Sequence, residues 1–258
     1  MDNIRYFLPT MQTDTGIPTN ARLAGLLDAQ LSIKIANPEK RLLRVTLITD
    51  DDRSQVEPLQ RFPTRQVVVR APNKKTTAVA RMMGQQILDI LAFAAQHCIV
   101  KRDMARAALK YLTDETTTVE ELQEALAKVP MQDETMELDR EWIGGFFDST
   151  CEIQKPSVPV QDDGEEEPSV GDEKNGDENG GEKRKGKKRR KKSARASLIV
   201  PKYMRHFIPM MQSSLGFGKI HKASPYRLIF AQQELATFLE ACSDIIHVKR
   251  DDLNAIAC

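Results

Sequence analysis

Two hydrophobic periods alternate along this chain, and they do so twice. From Asn20 to Asp28 apolar residues recur at helical spacing around Ala24 and Gly25. From Leu31 to Ile35 the period shortens to two, with Ile33 and Ile35 on one face and Ser32 and Lys34 on the other. The same reading predicts a strand over Arg44 to Thr49, a short helix over Gln55 to Arg61, and strands over Gln66 to Arg70 and Thr77 to Arg81. Helices follow over Gln85 to Gln96 and Asp103 to Leu112. The predicted order is αββαββαα. It returns as a helix over Asp139 to Asp148, strands over Glu152 to Lys155 and Ala196 to Val200, and a helix over Met204 to Gln212. Strands over Phe217 to His221 and Tyr226 to Ala231, a helix over Glu234 to Ser243 and a truncated end at Cys258 complete it. Between the halves, Thr118-Val119-Glu120-Glu121 has the form of a capping box. It opens a linker helix that Pro130 closes.

Short identities support the repeat. Val100-Lys101-Arg102-Asp103 recurs as Val248-Lys249-Arg250-Asp251, and Gly25-Leu26-Leu27-Asp28 is echoed by Gly145-Phe146-Phe147-Asp148. The two spacings differ because a charged tract, Val160 to Ala196, interrupts the second copy. Its first half holds ten acids and one base, and its second half ten bases. With almost no aliphatic residue it builds no core and is expected to be disordered. The basic half reads as a nuclear-import signal, as a phosphate-binding arm or as a solvated run beside its acidic neighbour.

Composition narrows the class of protein. At 258 residues, 40% hydrophobic, 29% charged and only 5% aromatic, the chain is globular and mixed or helical. The formal charge of +1 hides the asymmetry of the tract. Taking its eleven bases and ten acids from the 38 and 37 of the whole leaves 27 of each elsewhere, so any basic surface must be arranged by the fold. Cys98, Cys151, Cys242 and Cys258 form no zinc-ligand pattern, and reduced thiols in an intracellular protein are expected. Neither a signal peptide nor a membrane span is expected. An organelle (mitochondrion or chloroplast) and the nucleus remain equal expectations for location.

Leu23-Ala24-Gly25-Leu26-Leu27-Asp28-Ala29-Gln30-Leu31 resembles the signature nonapeptide of the LAGLIDADG homing endonucleases and maturases. Ile143-Gly144-Gly145-Phe146-Phe147-Asp148-Ser149-Thr150-Cys151 resembles it a second time. The resemblance implies an α+β fold of two pseudo-symmetric αββαββα repeats forming a saddle of antiparallel sheets. It implies a first repeat over 1–114, a linker helix over 115–138, and a second repeat over 139–258 with the charged insert at 156–196. The motif helices would cross at Ala24, Gly25, Gly144 and Gly145, small residues that allow backbone contact. The alternative is a glycine-weakened helix in an unrelated core. Asp28 and Asp148 match the family's first acid, which braces neighbouring backbone.

The second acid of each motif holds divalent metal in the family. Those places are Gln30 and Thr150 here, so no catalytic residue is assigned and no cofactor is expected. Mg would be needed only if displaced carboxylates supported cleavage of double-stranded DNA, and Glu152, two residues past Thr150, would need a different chain path to serve. Lys101 and Lys249 match the family's phosphate-facing lysines, or are ordinary solvated lysines. Strand polar alternates Ser32, Lys34, Arg44, Thr46, Gln66 and Arg70 in one half, and Lys202, Lys219, His221 and Arg227 in the other, are candidates to face nucleic acid. The resemblance implies a monomeric protein that binds RNA rather than DNA, as an intron-splicing cofactor or within a ribonucleoprotein. A DNA endonuclease and a protein-binding scaffold on the same fold are the alternatives.

Overall fold

The computed structural model describes residues 18–49, 52–64, 67–70, 77–128, 137–155, 194–200, 204–222 and 226–257. The charged tract at 156–193, Gln66, Lys202 and Pro130 lie outside the described residues.

The first half runs α1 (Asn20–Gln30), β1 (Leu31–Asn37), β2 (Leu42–Thr49), a 3-10 turn (Asp52–Gln55), α2 (Val56–Arg61), β3 (Val67–Arg70), β4 (Thr77–Arg81), α3 (Gln85–His97) and α4 (Arg102–Thr113). The linker helix α5 (Val119–Ala127) follows. The second half is α6 (Arg140–Thr150), β5 (Cys151–Gln154), β6 (Arg195–Ile199), α7 (Phe207–Leu215), β7 (Lys219–His221), β8 (Arg227–Ala231), α8 (Gln232–Cys242) and α9 (Arg250–Ala257). The sheets are antiparallel and share one topology, β1-β2-β4-β3 and β5-β6-β8-β7.

Local chemistry starts each half in the same way. Thr19 caps α1 by accepting from the Arg22 N–H, and Asp139 caps α6 by accepting from Glu141 and Trp142. Thr118 and Glu121 close the capping box that opens α5. Alternation then sorts the strands. Leu31, Val45, Leu47, Ala78 and Ala80 are buried on the inner face of the first sheet, and Ala196, Leu198, Leu228 and Phe230 on that of the second. Phe147 of α6 packs on Phe230 of β8 and Phe238 of α8, with ring centroids 6.0 and 4.6 Å apart, which fixes α6 to its own sheet.

Two expectations are corrected. Arg195, which the sequence places in the charged tract, opens β6 one residue before the predicted strand start at Ala196, and the two pair with Gln154 and Ile153. A net charge count cannot see that the ladder resumes there. The second half also carries a further helix beyond α8, α9, counterpart of α4, with Leu253 and Ile256 buried.

In the first half the β1–β2 connection is held by Arg41, whose φ of 49° lies in the left-handed region. Its guanidinium donates to the carbonyls of Tyr111, Asp114 and Thr117 and lies 4.2 Å from the Tyr111 ring centre. The side chain therefore satisfies carbonyls left open at the end of α4.

Candidate nucleic-acid interface and the altered metal centre

The motif helices α1 and α6 cross at backbone contact. A Cβ on Gly25 would lie 2.0 Å from the Trp142 carbonyl oxygen, and one on Gly145 would lie 2.1 Å from that of Arg22. No side chain fits at either place. Ala24 and Gly144 do something else. Gly144 faces its own half, where a Cβ would lie 2.3 Å from the Ile245 carbonyl oxygen, and the Ala24 carbonyl accepts from the Cys98 thiol at 3.7 Å. The crossing is thus made by one glycine per motif, because only the face turned to the partner helix must be bare.

Asp28 and Asp148 explain the two repeat landmarks together. The Asp28 carboxylate accepts the N–H groups of Ile99, Val100 and Lys101, and Asp148 those of His247, Val248 and Lys249. Each acid therefore ties its motif helix to the chain entering α4 or α9. Burial nevertheless leaves the Asp28 carboxyl above its ordinary range, against the pull of those N–H groups and the Trp142 indole.

Across the crossing, Trp142 donates to Asp28 at 2.8 Å, while Arg22 donates to Asp148 at 2.6 Å. Arg22 also forks onto both Glu57 oxygens, at 2.6 and 2.8 Å, and reaches the Ile245 carbonyl. His247 Nδ1 lies 2.8 Å from Glu57. Burial pushes the Glu57 carboxyl up, but the bonds from His247 and Arg22 outweigh it and hold it below its ordinary value. This buried cluster joins the halves and was missed in the sequence. Glu57, on α2, carries no motif, and its partners lie as far as 190 residues away.

At the end of each motif helix stand the altered positions. Gln30, 2% exposed, aims Nε2 at the Ser54 carbonyl, the Ser54 hydroxyl and the Ser149 hydroxyl, at 3.0, 2.9 and 2.9 Å. Ser54 in turn bonds Thr49 at 2.9 Å. Thr150 turns its hydroxyl back to the Phe146 carbonyl, at 2.8 Å. A divalent ion needs anionic oxygens, and these groups are a neutral amide and neutral hydroxyls. Among the described residues no three His, Cys, Asp or Glu side chains cluster to hold a metal. The donor set at 30 and 150 does not fit the family's ion. It forms a neutral tie between the halves, through Gln30 and Ser149.

The outer faces of the sheets carry the expected polar alternates. Lys34 and Arg44 are exposed and stand directly opposite on β1 and β2, and His221 stands opposite Arg227 on β7 and β8. Lys219 is exposed on the same face of the second sheet, opposite Ile229. Arg81 and Arg195 belong to these faces too; Arg81 ends the strand the sequence predicts, opposite Thr46, and Arg195 lies one residue before the predicted start of its strand, so alternation did not reach it. Ser32 lies on the outer row but is half-buried, and Thr46, only 7% exposed, is covered. Arg70 pairs with Thr77 at the edge of the first sheet. The only acid of these rows among the described residues is Glu152, opposite Ser197. Lys101 is buried, with its ammonium on the Leu31 carbonyl next to Gln30, while Lys249 is half-buried at the start of α9.

No family model matches the sequence, and no curated protein does. Solved structures do. The chain is similar to the LAGLIDADG homing endonuclease I-GzeII in complex with its DNA target, with a TM-score of 0.59 and 12% identity over 92% of this chain and 88% of that one. It is similar to the LAGLIDADG meganuclease I-AabMI bound to uncleaved DNA, with a TM-score of 0.58 and 11% identity over 92% and 89%. It is similar also to the LAGLIDADG homing endonuclease I-SmaMI bound to cleaved DNA, with a TM-score of 0.57 and 16% identity over 94% and 88%. The fold is that of the LAGLIDADG homing endonucleases.

Proposed function

We propose that this protein binds nucleic acid on the outer faces of its two sheets and has lost the cutting chemistry, with RNA as the ligand in intron splicing or within a ribonucleoprotein. The observation that carries the binding is the pairing of like charges. Lys34 opposite Arg44 puts two cations on directly opposed strand positions, an arrangement that costs the fold stability, and Lys219 and Arg227 add positive charge to the outer row of the second sheet. A polyanion lying across both sheets relieves that repulsion. The body as a whole carries equal numbers of acids and bases, so these rows are a segregation of charge and not an average excess.

The loss of cutting rests on Gln30 and Thr150. An amide already committed to Ser54 and Ser149, and a hydroxyl committed to its own helix, offer no charge to ions bridging the attacking and leaving oxygens. RNA is favoured by the resemblance to family members that keep the saddle without nuclease activity. One observation favours a second reading, cleavage of double-stranded DNA: the solved structures of this fold named above hold DNA.

The experiment is ultraviolet crosslinking in cells, followed by salt titration with the purified protein and the recovered ligand. Replacing Lys34, Arg44, Lys219 and Arg227 by Ala is expected to weaken binding and to flatten the salt dependence by roughly 0.7 to 0.9 for each phosphate no longer neutralised. Replacing Arg106 and Lys110 on α4 is expected to change neither. A sheet variant that binds like the parent, with the same slope, overturns the reading and leaves the protein-scaffold alternative.

A further inference from the structure

The two outer faces differ in a way the charge pattern does not explain. Among the described residues the large apolar side chains that are exposed are Leu42, Ile48 and Met83, at 51%, 40% and 54%. Leu42 and Ile48 belong to β2 of the first sheet, and Met83 follows β4. Leu42 and Ile48 lie on the outer row of β2 with Arg44 between them, since Leu43, Val45 and Leu47 take the buried face. The N–H of buried Met82 continues the ladder to the Val45 carbonyl, so Met83 leaves on the outer side, two residues past Arg81. Outer positions of the second sheet hold Glu152, Ser197, Ile199, Lys219, His221, Arg227 and Ile229, and among the described residues its two isoleucines are half-buried where Leu42, Ile48 and Met83 are exposed.

Single exposed aliphatic residues are ordinary, but three gathered on one outer face while the equivalent face has none so exposed set the first sheet apart as a surface for an apolar contact. Here they alternate with Lys34, Arg44 and Arg81 instead of forming a continuous apolar patch, so the covering surface must combine negative charge with flat apolar faces at strand-to-strand spacing. A regular A-form helix does not offer this. Its major groove is too deep and narrow for side chains, and its bases are stacked on one another. Unpaired nucleotides do, because each carries a phosphate and a free base face.

Resting on the nucleic-acid reading above, we propose that the first sheet holds an unpaired stretch of the RNA, its bases lying on Leu42, Ile48 and Met83 and its phosphates on Lys34, Arg44 and Arg81. The second sheet, whose outer apolar residues Ile199 and Ile229 are half-buried among cationic and polar ones, takes helical backbone. The ligand class is therefore a junction between paired and unpaired RNA.

The test uses the full chain and three probes: a blunt RNA hairpin, the same hairpin with an unpaired oligouridine extension, and a DNA hairpin of equal length containing thymine. The extension is expected to tighten binding by the parent about tenfold, toward the low end of what one base gains on an aromatic platform, because aliphatic side chains offer contact area without a π-face. The variant Leu42→Ser, Ile48→Thr, Met83→Ser is expected to lose that gain while keeping both its affinity for the blunt hairpin and the salt slope, because every cation that meets a phosphate is still present. A double variant, Leu42→Ser with Met83→Ser, spares the middle of β2 and guards against loss of folding. An extension that adds nothing, or variants that keep its gain, overturns the proposal while hairpin binding leaves the broader reading intact. So does a thymine-containing DNA hairpin that shows the same gain and loses it in the same variants, since methyl edges of paired bases would then be what the row covers. Failure of every probe to bind overturns both.

Discussion

Arg22 on the first motif helix donates to Asp148 on the second at 2.6 Å, and the place equivalent to Arg22 in the second motif is taken by Trp142, which donates to Asp28. The pseudo-two-fold crossing is thus symmetric in its acids and asymmetric in its donors. One side is closed by a neutral indole. The other is closed by a buried cation shared with Glu57. Breaking the charged side by Arg22→Met strands two buried carboxylates, and a loss of about 3–5 kcal/mol is expected. Trp142→Phe removes a single N–H donor and is expected to cost about 1–3 kcal/mol. Chemical denaturation of both variants against the parent checks the order.

Glu57 supplies a pH dependence. Its folded-state pKa lies below the ordinary 4.5, so the stability it contributes is present above that value and is lost as pH falls through the folded pKa. Asp28, raised by burial, acts with the opposite sign, and its share of stability falls as pH rises through the carboxylate range. Glu57→Gln is expected to be less stable than the parent at pH 7 and to approach it in acid below about pH 4. Melting curves from pH 7 to pH 3 decide this, and curves that stay parallel would refute it.

The glycines of the crossing are expected to be the most sensitive small residues in the chain. Gly25→Ala or Gly145→Ala drives a methyl into a carbonyl of the partner helix, not into a movable side chain, and a loss of at least about 3 kcal/mol is expected. Gly84→Ala meets no atom within 4 Å and suffers only the strain of its positive φ. A melting temperature for the crossing variants equal to that of Gly84→Ala would refute the contact.

With Gln30 and Thr150 in place of acids, purified protein supplied with Mg²⁺ or Mn²⁺ is expected to make no site-selective cut in double-stranded DNA. A cleavage assay with and without chelator checks it. Specific chelator-sensitive products would establish the endonuclease reading.

Deleting Val160 to Lys192 is expected to leave the melting temperature nearly unchanged. Gln154 and Arg195 are already paired and hydrogen-bonded through their side chains at 2.6 Å, so the strands close without the tract. The entropy of the connection changes only slowly with its length. A large drop would show that the tract supports the fold.

The sequence by itself determined the repeat, the strand faces and the neutral residue types at 30 and 150. Each of these depends on local period or residue type, and side-chain direction in a strand follows from alternation alone. Lys34, Arg44, Lys219 and Arg227 accordingly lie on the outer rows of their sheets. Where periodicity fades, composition misleads: Arg195 has the charge of the tract yet opens β6, and α9 follows a stretch with no clear helical period. Only the tertiary structure decided that Gly144 serves its own half, that Gln30 is committed to Ser54 and Ser149, and that Glu57 completes the charge at the crossing. These are relations between segments up to 190 residues apart. No local pattern encodes them, because a buried polar group is satisfied by whichever partner the packing of the two motif helices brings within reach.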